Sequence, residues 1–144
     1  MHYQSFNQVS EKDVIAFIRQ HNFGCLVTHH QMEWHASHLM FMIDEKEGII
    51  RLVSHLAKEN PQRQHVEQGA EGTVIFTGAH TYISPKNYST PVSVPTWNYM
   101  AVYAYGNCEL LPDESKMELL SRLVEYHEKE YFDGAFKELP RSYM

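Results

Sequence analysis

The sequence predicts an α+β protein built on an antiparallel sheet with flanking helices. Three observations carry this reading. The elements run helix, three strands, helix, strand, long loop, long strand, helix, so strands follow one another directly instead of alternating with helices as a parallel sheet requires. The 144 residues suit one domain with one core, spanning residues 1–144. Hydrophobic residues make up 43% and charged residues 21%, which excludes the apolar poverty or charge excess of a disordered chain.

Ser10-Glu11-Lys12-Asp13 reads as a capping box, with Asp13 in the positive first turn of a helix. Val14, Ile15, Phe17 and Ile18 repeat at helical spacing, and the helix should stop near Asn22-Phe23-Gly24. Residues 25–28 and 34–43 are rich in β-branched, aromatic and aliphatic side chains, and the polar break His29-His30-Gln31 between them predicts a hairpin. Asp44-Glu45-Lys46-Glu47-Gly48 predicts a second turn and residues 49–54 a third strand. Asn60 caps a helix with Pro61 at its first position, ended by Gly69 or Gly72. Thr73-Val74-Ile75-Phe76 is a buried strand closed by Gly78. Residues 79–96 form a loop held by Pro85, Pro91 and Pro95, longer than a simple connection needs. Residues 97–111 form a long strand with Gly106 as a candidate bulge, and after Pro112-Asp113 a helix presents Met117, Leu120, Leu123, Val124 and Tyr131 on one face. Closing such a sheet into a barrel removes its unpaired edges.

A formal net charge of −6 with scattered Lys and Arg argues against direct, tight nucleic-acid binding. Residues 1–6 lack a basic n-region and an apolar h-region, and no apolar stretch approaches the roughly 20 residues of a membrane span, so the expected location is cytoplasmic. Cys25 and Cys108 lack the spacing of a zinc or redox pair and are expected to be inert buried thiols.

No dinucleotide loop, P-loop, nucleophile elbow or zincin helix is present. Polar and aromatic residues concentrate after two predicted strands, in residues 54–61 and 80–88. His55 and Lys58 precede a helix start, where free backbone amides also favour an anion; the competing reading makes Lys58 a solvated side chain and Asn60 only a cap. Thr81, Ser84, Lys86 and Tyr88 offer donors for a phosphate or sugar, or simply form a proline-held surface loop. Trp97-Asn98-Tyr99 can cover a planar ring and hydrogen-bond its edge, or pack into a core. His35 and His38 stand three apart on a strand and face opposite sides, and no acidic partner is recognised at ligand spacing, so no metal site is expected. No paired carboxylates or Ser-His-Asp set points to hydrolysis.

Taken together, His55-Leu56-Ala57-Lys58 with Asn60-Pro61-Gln62, Gly78 and His80 with Tyr82-Ile83-Ser84-Pro85 and Tyr88, and Val94-Pro95-Thr96-Trp97-Asn98-Tyr99 resemble the PaiB family. Phe23-Gly24, Leu26-Val27-Thr28 and Ser37-His38-Leu39 extend the match toward the start. The resemblance implies an FMN-binding split β-barrel that dimerises with flavin at the subunit interface, in a family named for negative transcriptional regulation. It implies that His55, Lys58 and Asn60 lie near the flavin phosphate or ribityl chain, that Ser84, Lys86 and Tyr88 support them, and that Trp97, Asn98 and Tyr99 border the ring. Arg63, Ala79 and Asn87 stand where the family tends to have Trp, Pro and Trp. Family members are expected to continue past Arg141-Ser142-Tyr143-Met144 into a further strand.

Three functions follow as expectations. The first is an FMN-binding protein of regulatory or flavin-dependent redox type. The second is a cofactor-free interaction module on the same fold, and the third a haem-binding split barrel that uses the ten histidines. Any gene regulation is expected to be indirect, because the acidic balance offers no route to operator contact.

Overall fold

A computed structural model describes residues 9–46, 48–90 and 92–138. The expectations that rest on residues 1–6, on Glu47 and Pro91 and on residues 141–144 lie outside the described residues. The chain falls into two compact units, Met1–Cys108 and Glu109–Met144.

In the larger unit, helix α1 spans Glu11–Gln20. Ser10 caps it as its spacing predicts: the hydroxyl accepts from the Asp13 amide at 3.2 Å and donates to the Asp13 carboxylate at 2.6 Å. The chain then runs through β1 (Phe23–His30), β2 (Glu33–Met40), β3 (Met42–Lys46), β4 (Ile49–Val53), helix α2 (Gln62–Glu67), β5 (Glu71–Ile83) and β6 (Thr96–Asn107). β2, β1, β5 and β6 form one antiparallel sheet in that order, and β3 pairs with β4 in a second. The described strands thus make two sheets, with β2 and β6 as the edges of the larger one.

Several elements differ from their predicted extents, each for a local reason. His29 and His30 belong to β1, and the turn is Gln31-Met32, both with positive φ of 46° and 68°. This is a two-residue hairpin turn made without the glycine or asparagine that normally signals one. Buried Phe41, whose amide donates to the Asn22 carbonyl at 2.8 Å, divides the predicted long strand into β2 and β3. Asp44 and Glu45 pair with Arg51 and Ile50, so the second turn is tighter than predicted. Asn60 does cap the start of α2, its Oδ1 accepting from the Gln62 amide at 2.9 Å, and Gly69 with φ 71° ends it.

β5 runs through Gly78 to Ile83, where a loop had been expected. It survives the glycine because β6 pairs along its whole length. The register slips between Thr77/Ala101 and His80/Tyr99, three residues of β5 against two of β6. The bulge therefore lies on β5, and Gly106 pairs regularly with Gly72. β1 pairs with β5 only at residues 72–75, so the rest of β5 continues with β6 as a two-stranded arm.

One face of the sheet is covered. Ile18, Leu26, Phe41, Val74 and Phe76 form the core, joined by Val14, Phe17, Leu39, Ile43, Leu52, Val102 and Ala104. Phe76 lies against the backbone of Gly24, where a methyl group would stand 2.8 Å from its ring, and Phe41 meets it edge to face at 5.6 Å. Cys25 and Cys108 are free but only half-buried, which corrects the expectation of buried thiols; burial raises the Cys108 thiol above its ordinary value, so it stays protonated.

In the second unit, α3 spans Glu114–His127 and α4 Lys129–Asp133, followed by a 3-10 turn over Ala135–Glu138. Leu119, Leu123 and Phe136 are buried. Glu128, with φ −138° and ψ 60°, interrupts the predicted single helix and puts Tyr131 on α4. Among the described residues no helix is long and apolar enough to cross a membrane.

The left-handed pair Gln31-Met32 carries backbone strain that glycine would relieve, and the Met32 side chain is 90% exposed. Met32→Gly is therefore expected to stabilise the protein by about 1 kcal/mol, read as a higher urea midpoint with an unchanged slope.

Candidate functional site

Strand alternation sorts the side chains of the sheet onto two faces. Gly24, Leu26 and Thr28 of β1, Val74 and Phe76 of β5, and Val102 and Ala104 of β6 point to the covered face. Their neighbours must point the other way. That second face carries Phe23, Val27, His29, Trp34, Tyr103 and Tyr105, and nothing among the described residues of this unit covers it.

β6 is the edge that contributes most. Trp97, Tyr99, Tyr103 and Tyr105 stand on alternate positions and are 55%, 66%, 51% and 78% exposed. The bulge in β5 turns His80 and Tyr82 to the same side, where Trp97 stacks on His80 at 5.7 Å and leans on Tyr82 at 6.2 Å. Toward the other end, a concavity of about 530 Å³ opens between Trp34, which stacks on His29 at 4.3 Å, and Tyr105, floored by Val27 and Thr73.

Trp97, Asn98 and Tyr99 share the arm with His80 and Tyr82, as β6 pairing dictates. Ser84 caps the 3-10 turn Pro85–Asn87 by accepting from the Lys86 amide at 3.3 Å, and Lys86 and Tyr88 are exposed beside it. His55 and Lys58 are exposed in the segment before α2. Asn60 spends both ends of its amide, donating to Ser37 Oγ at 2.8 Å and accepting from Gln62. Neither Lys58 nor Lys86 has an ion-pair partner among the described residues. No hydrogen bond, ion pair or ring contact among those residues joins the His55-Lys58-Asn60 segment to the arm within one chain. Trp34, Tyr103 and Tyr105 were missed from sequence, although aromatic residues at every second position, with Val102 and Ala104 between, were the available signal.

The covered face ends in a polar network rather than more core. Gln62, fully buried, donates from Nε2 to the Leu26 carbonyl at 3.1 Å, to Thr28 Oγ1 at 3.1 Å and to the His35 carbonyl at 3.2 Å. Thr28 Oγ1 lies 3.0 Å from His65 Nδ1, and both side chains are buried. Glu33, His35 and His65 each offer a ligand atom within 4.8 Å of the others, a donor set able to hold a metal ion.

Burial, then the neighbouring His35 and His30, lower the His65 pKa from its ordinary 6.5; Glu33 opposes them weakly and His29 adds to them. The folded state then binds fewer protons at this site than the unfolded chain does. Stability tied to neutral His65 is full above 6.5 and is lost as pH falls from there through the lowered folded value. In chelator-treated protein the denaturation midpoint is expected to fall between about pH 7.5 and about pH 5, with a shallower fall in His65→Gln.

The profile of the protein family described as "Putative FMN-binding domain" matches residues 1–144. The protease synthase and sporulation protein PAI 2 of Bacillus subtilis (strain 168) is 34% identical over 124 residues, covering 86% of this chain and 59% of that protein. An uncharacterized protein of Saccharomyces cerevisiae is 31% identical over 106 residues, covering 69% of this chain and 63% of its own length. One from Emericella nidulans is 33% identical over 117 residues, covering 61% and 46%. The chain thus spans about half to three-fifths of these curated relatives. With the match running the full length of the chain and PAI 2 aligned over most of it, the chain belongs to this FMN-binding domain family, in its PaiB branch.

Proposed function

We propose that this chain is an FMN-binding split-barrel domain that acts as a homodimer, with the bare aromatic face of its sheet turned toward the partner and the flavin held along the interface. The observation that carries the reading is that face: an edge strand presenting Trp97, Tyr99, Tyr103 and Tyr105 to solvent. Contiguous exposed aromatic surface on a sheet edge is a binding surface or an aggregation hazard, and a second copy removes the hazard.

The residues fit an FMN. Lys58 and Lys86 are exposed cations free to meet a phosphate, and His55 stands beside Lys58. Asn60 holds that segment against Ser37 and α2, so its part is to fix the loop. Ser84 shapes the turn that carries Lys86 and Tyr88. Trp97 and Tyr99 offer stacking to a planar ring, with His80 bracing Trp97 from behind, while Asn98, between them on β6, offers its amide on the other side of the arm. Because the two groups are not joined within one chain, the site takes its phosphate and ring contacts from different subunits. Flavin, when bound, supplies hydride and single-electron transfer; the protein supplies position and electrostatics. Gene regulation by this chain, with its net charge of −6, runs through a partner or a metabolite in the cytoplasm rather than through operator contact.

Titration with FMN followed by flavin fluorescence, with light scattering in parallel, tests this. Saturable quenching is expected, with a mass roughly twice 16.9 kDa, and Lys58→Ala and Trp97→Ala each weakening binding by about ten-fold, near 1.4 kcal/mol. A dimer indifferent to FMN would favour the cofactor-free interaction module instead.

A further inference from the structure

The tip of the β1–β2 hairpin carries a second cluster, on the face opposite to the aromatic one. Thr28 pairs with His35 and His30 with Glu33, so these four residues form a two-by-two block facing α2. From α2, Gln62 and His65 reach down one helical turn apart. His35 Nε2 is 3.8 Å from Glu33 Oε2, the His35 and His65 rings meet edge to face at 4.5 Å, and His30 lies 5.6 Å from His65. We propose that Glu33, His35 and His65 form a binding site for a divalent late first-row transition metal, typified by Zn²⁺, that clamps α2 to the β1–β2 hairpin.

Two imidazoles and one carboxylate form a donor set suited to such an ion, leaving a fourth position to water. The contact with Thr28 uses His65 Nδ1, so with the proton there His65 Nε2 keeps its lone pair for the metal. Gln62 Nε2 already donates to Thr28, which fixes the hydroxyl that orients the ring. Gln62 Oε1, fully buried one turn from His65, has no hydrogen-bond donor among the described residues, and a buried acceptor left this way calls for water or an ion in its surroundings. Donors on one ion sit within about 4.2 Å of each other, twice a typical metal–ligand distance. The three donor atoms already lie within 4.8 Å of one another, so only a small adjustment is needed, and Glu33, its side chain 74% exposed, is free to turn.

Chelator-treated, untagged protein titrated with Zn²⁺ alone tests the site. One equivalent should bind and raise the melting temperature, and Co²⁺ in its place should give the visible bands of a four-coordinate ion. Glu33→Gln changes an exposed side chain and is expected to fold normally while losing at least about ten-fold in Zn²⁺ affinity. His38→Ala, on the other face beside Phe23, should bind as wild type. No stoichiometric uptake, or uptake that survives Glu33→Gln, would overturn the assignment.

Discussion

Phe76 resting on the bare backbone of Gly24 is the contact from which the larger unit is organised. The ring is wholly buried, it receives Phe41 edge to face, and it leaves no room for a side chain on the neighbouring strand. Once it points inward, strand alternation fixes every other position. Val74, Leu26 and Ala104 follow it into the core, and Tyr103, Tyr105 and Trp34 are sent to the far side. The exposed aromatic face is thus the complement of the core, with no separate determinant of its own. α1 and the β3–β4 ladder supply apolar cover for one side only.

Much of this architecture was legible where a residue type leaves one conformational option. Ser10 with Asp13, Asn60 before α2 and the buried run around Val74 each announce themselves locally. Legibility failed where pairing overrides propensity. Nothing in Gln31-Met32 signals a left-handed turn, and the hairpin forms because eight registered residue pairs between its two strands hold it. β5 continues past Gly78 because β6 is there to receive it. For the candidate sites the limit was of another kind. Glu33 and His35 are two apart and so share a strand face, a pattern open to inspection, but His65 comes from an element thirty positions away, which only the tertiary fold brings close. The loop and arm residues carried over from the PaiB resemblance sit where solvent or a partner can reach them, and no hydrogen bond, ion pair or ring contact among the described residues joins the two groups.

The buried polar network is unlike the core beside it. Gln62 makes three hydrogen bonds from one nitrogen, two of them to backbone carbonyls on adjacent strands. Such a residue ties a helix to a sheet in one register, because a shift of either partner strands a buried donor. α2 has only six residues, too few to hold itself together, and these bonds fix its place. The segment bearing His55 and Lys58 leads directly into it, so the position of those exposed side chains depends on polar contacts buried beneath them.

The bulge between Thr77 and His80 has a consequence for how such chains can diverge. Three residues of β5 span the distance that two of β6 cover, and beyond that point the inward and outward phases of β5 are exchanged. Deleting a single residue there would not shorten a loop. It would remove the bulge and leave His80 opposite Tyr99 and Tyr82 opposite Trp97, because the bulge is what absorbs the extra residue; paired regularly, that residue would instead bring Ala79, Thr81 and Ile83 to the side of Trp97. Chain length at this position is therefore free to differ by one residue among homologous chains that keep the arm's aromatic face, whereas a one-residue deletion between His80 and Tyr82 would set Tyr82 opposite Asn98 and turn it away from Trp97.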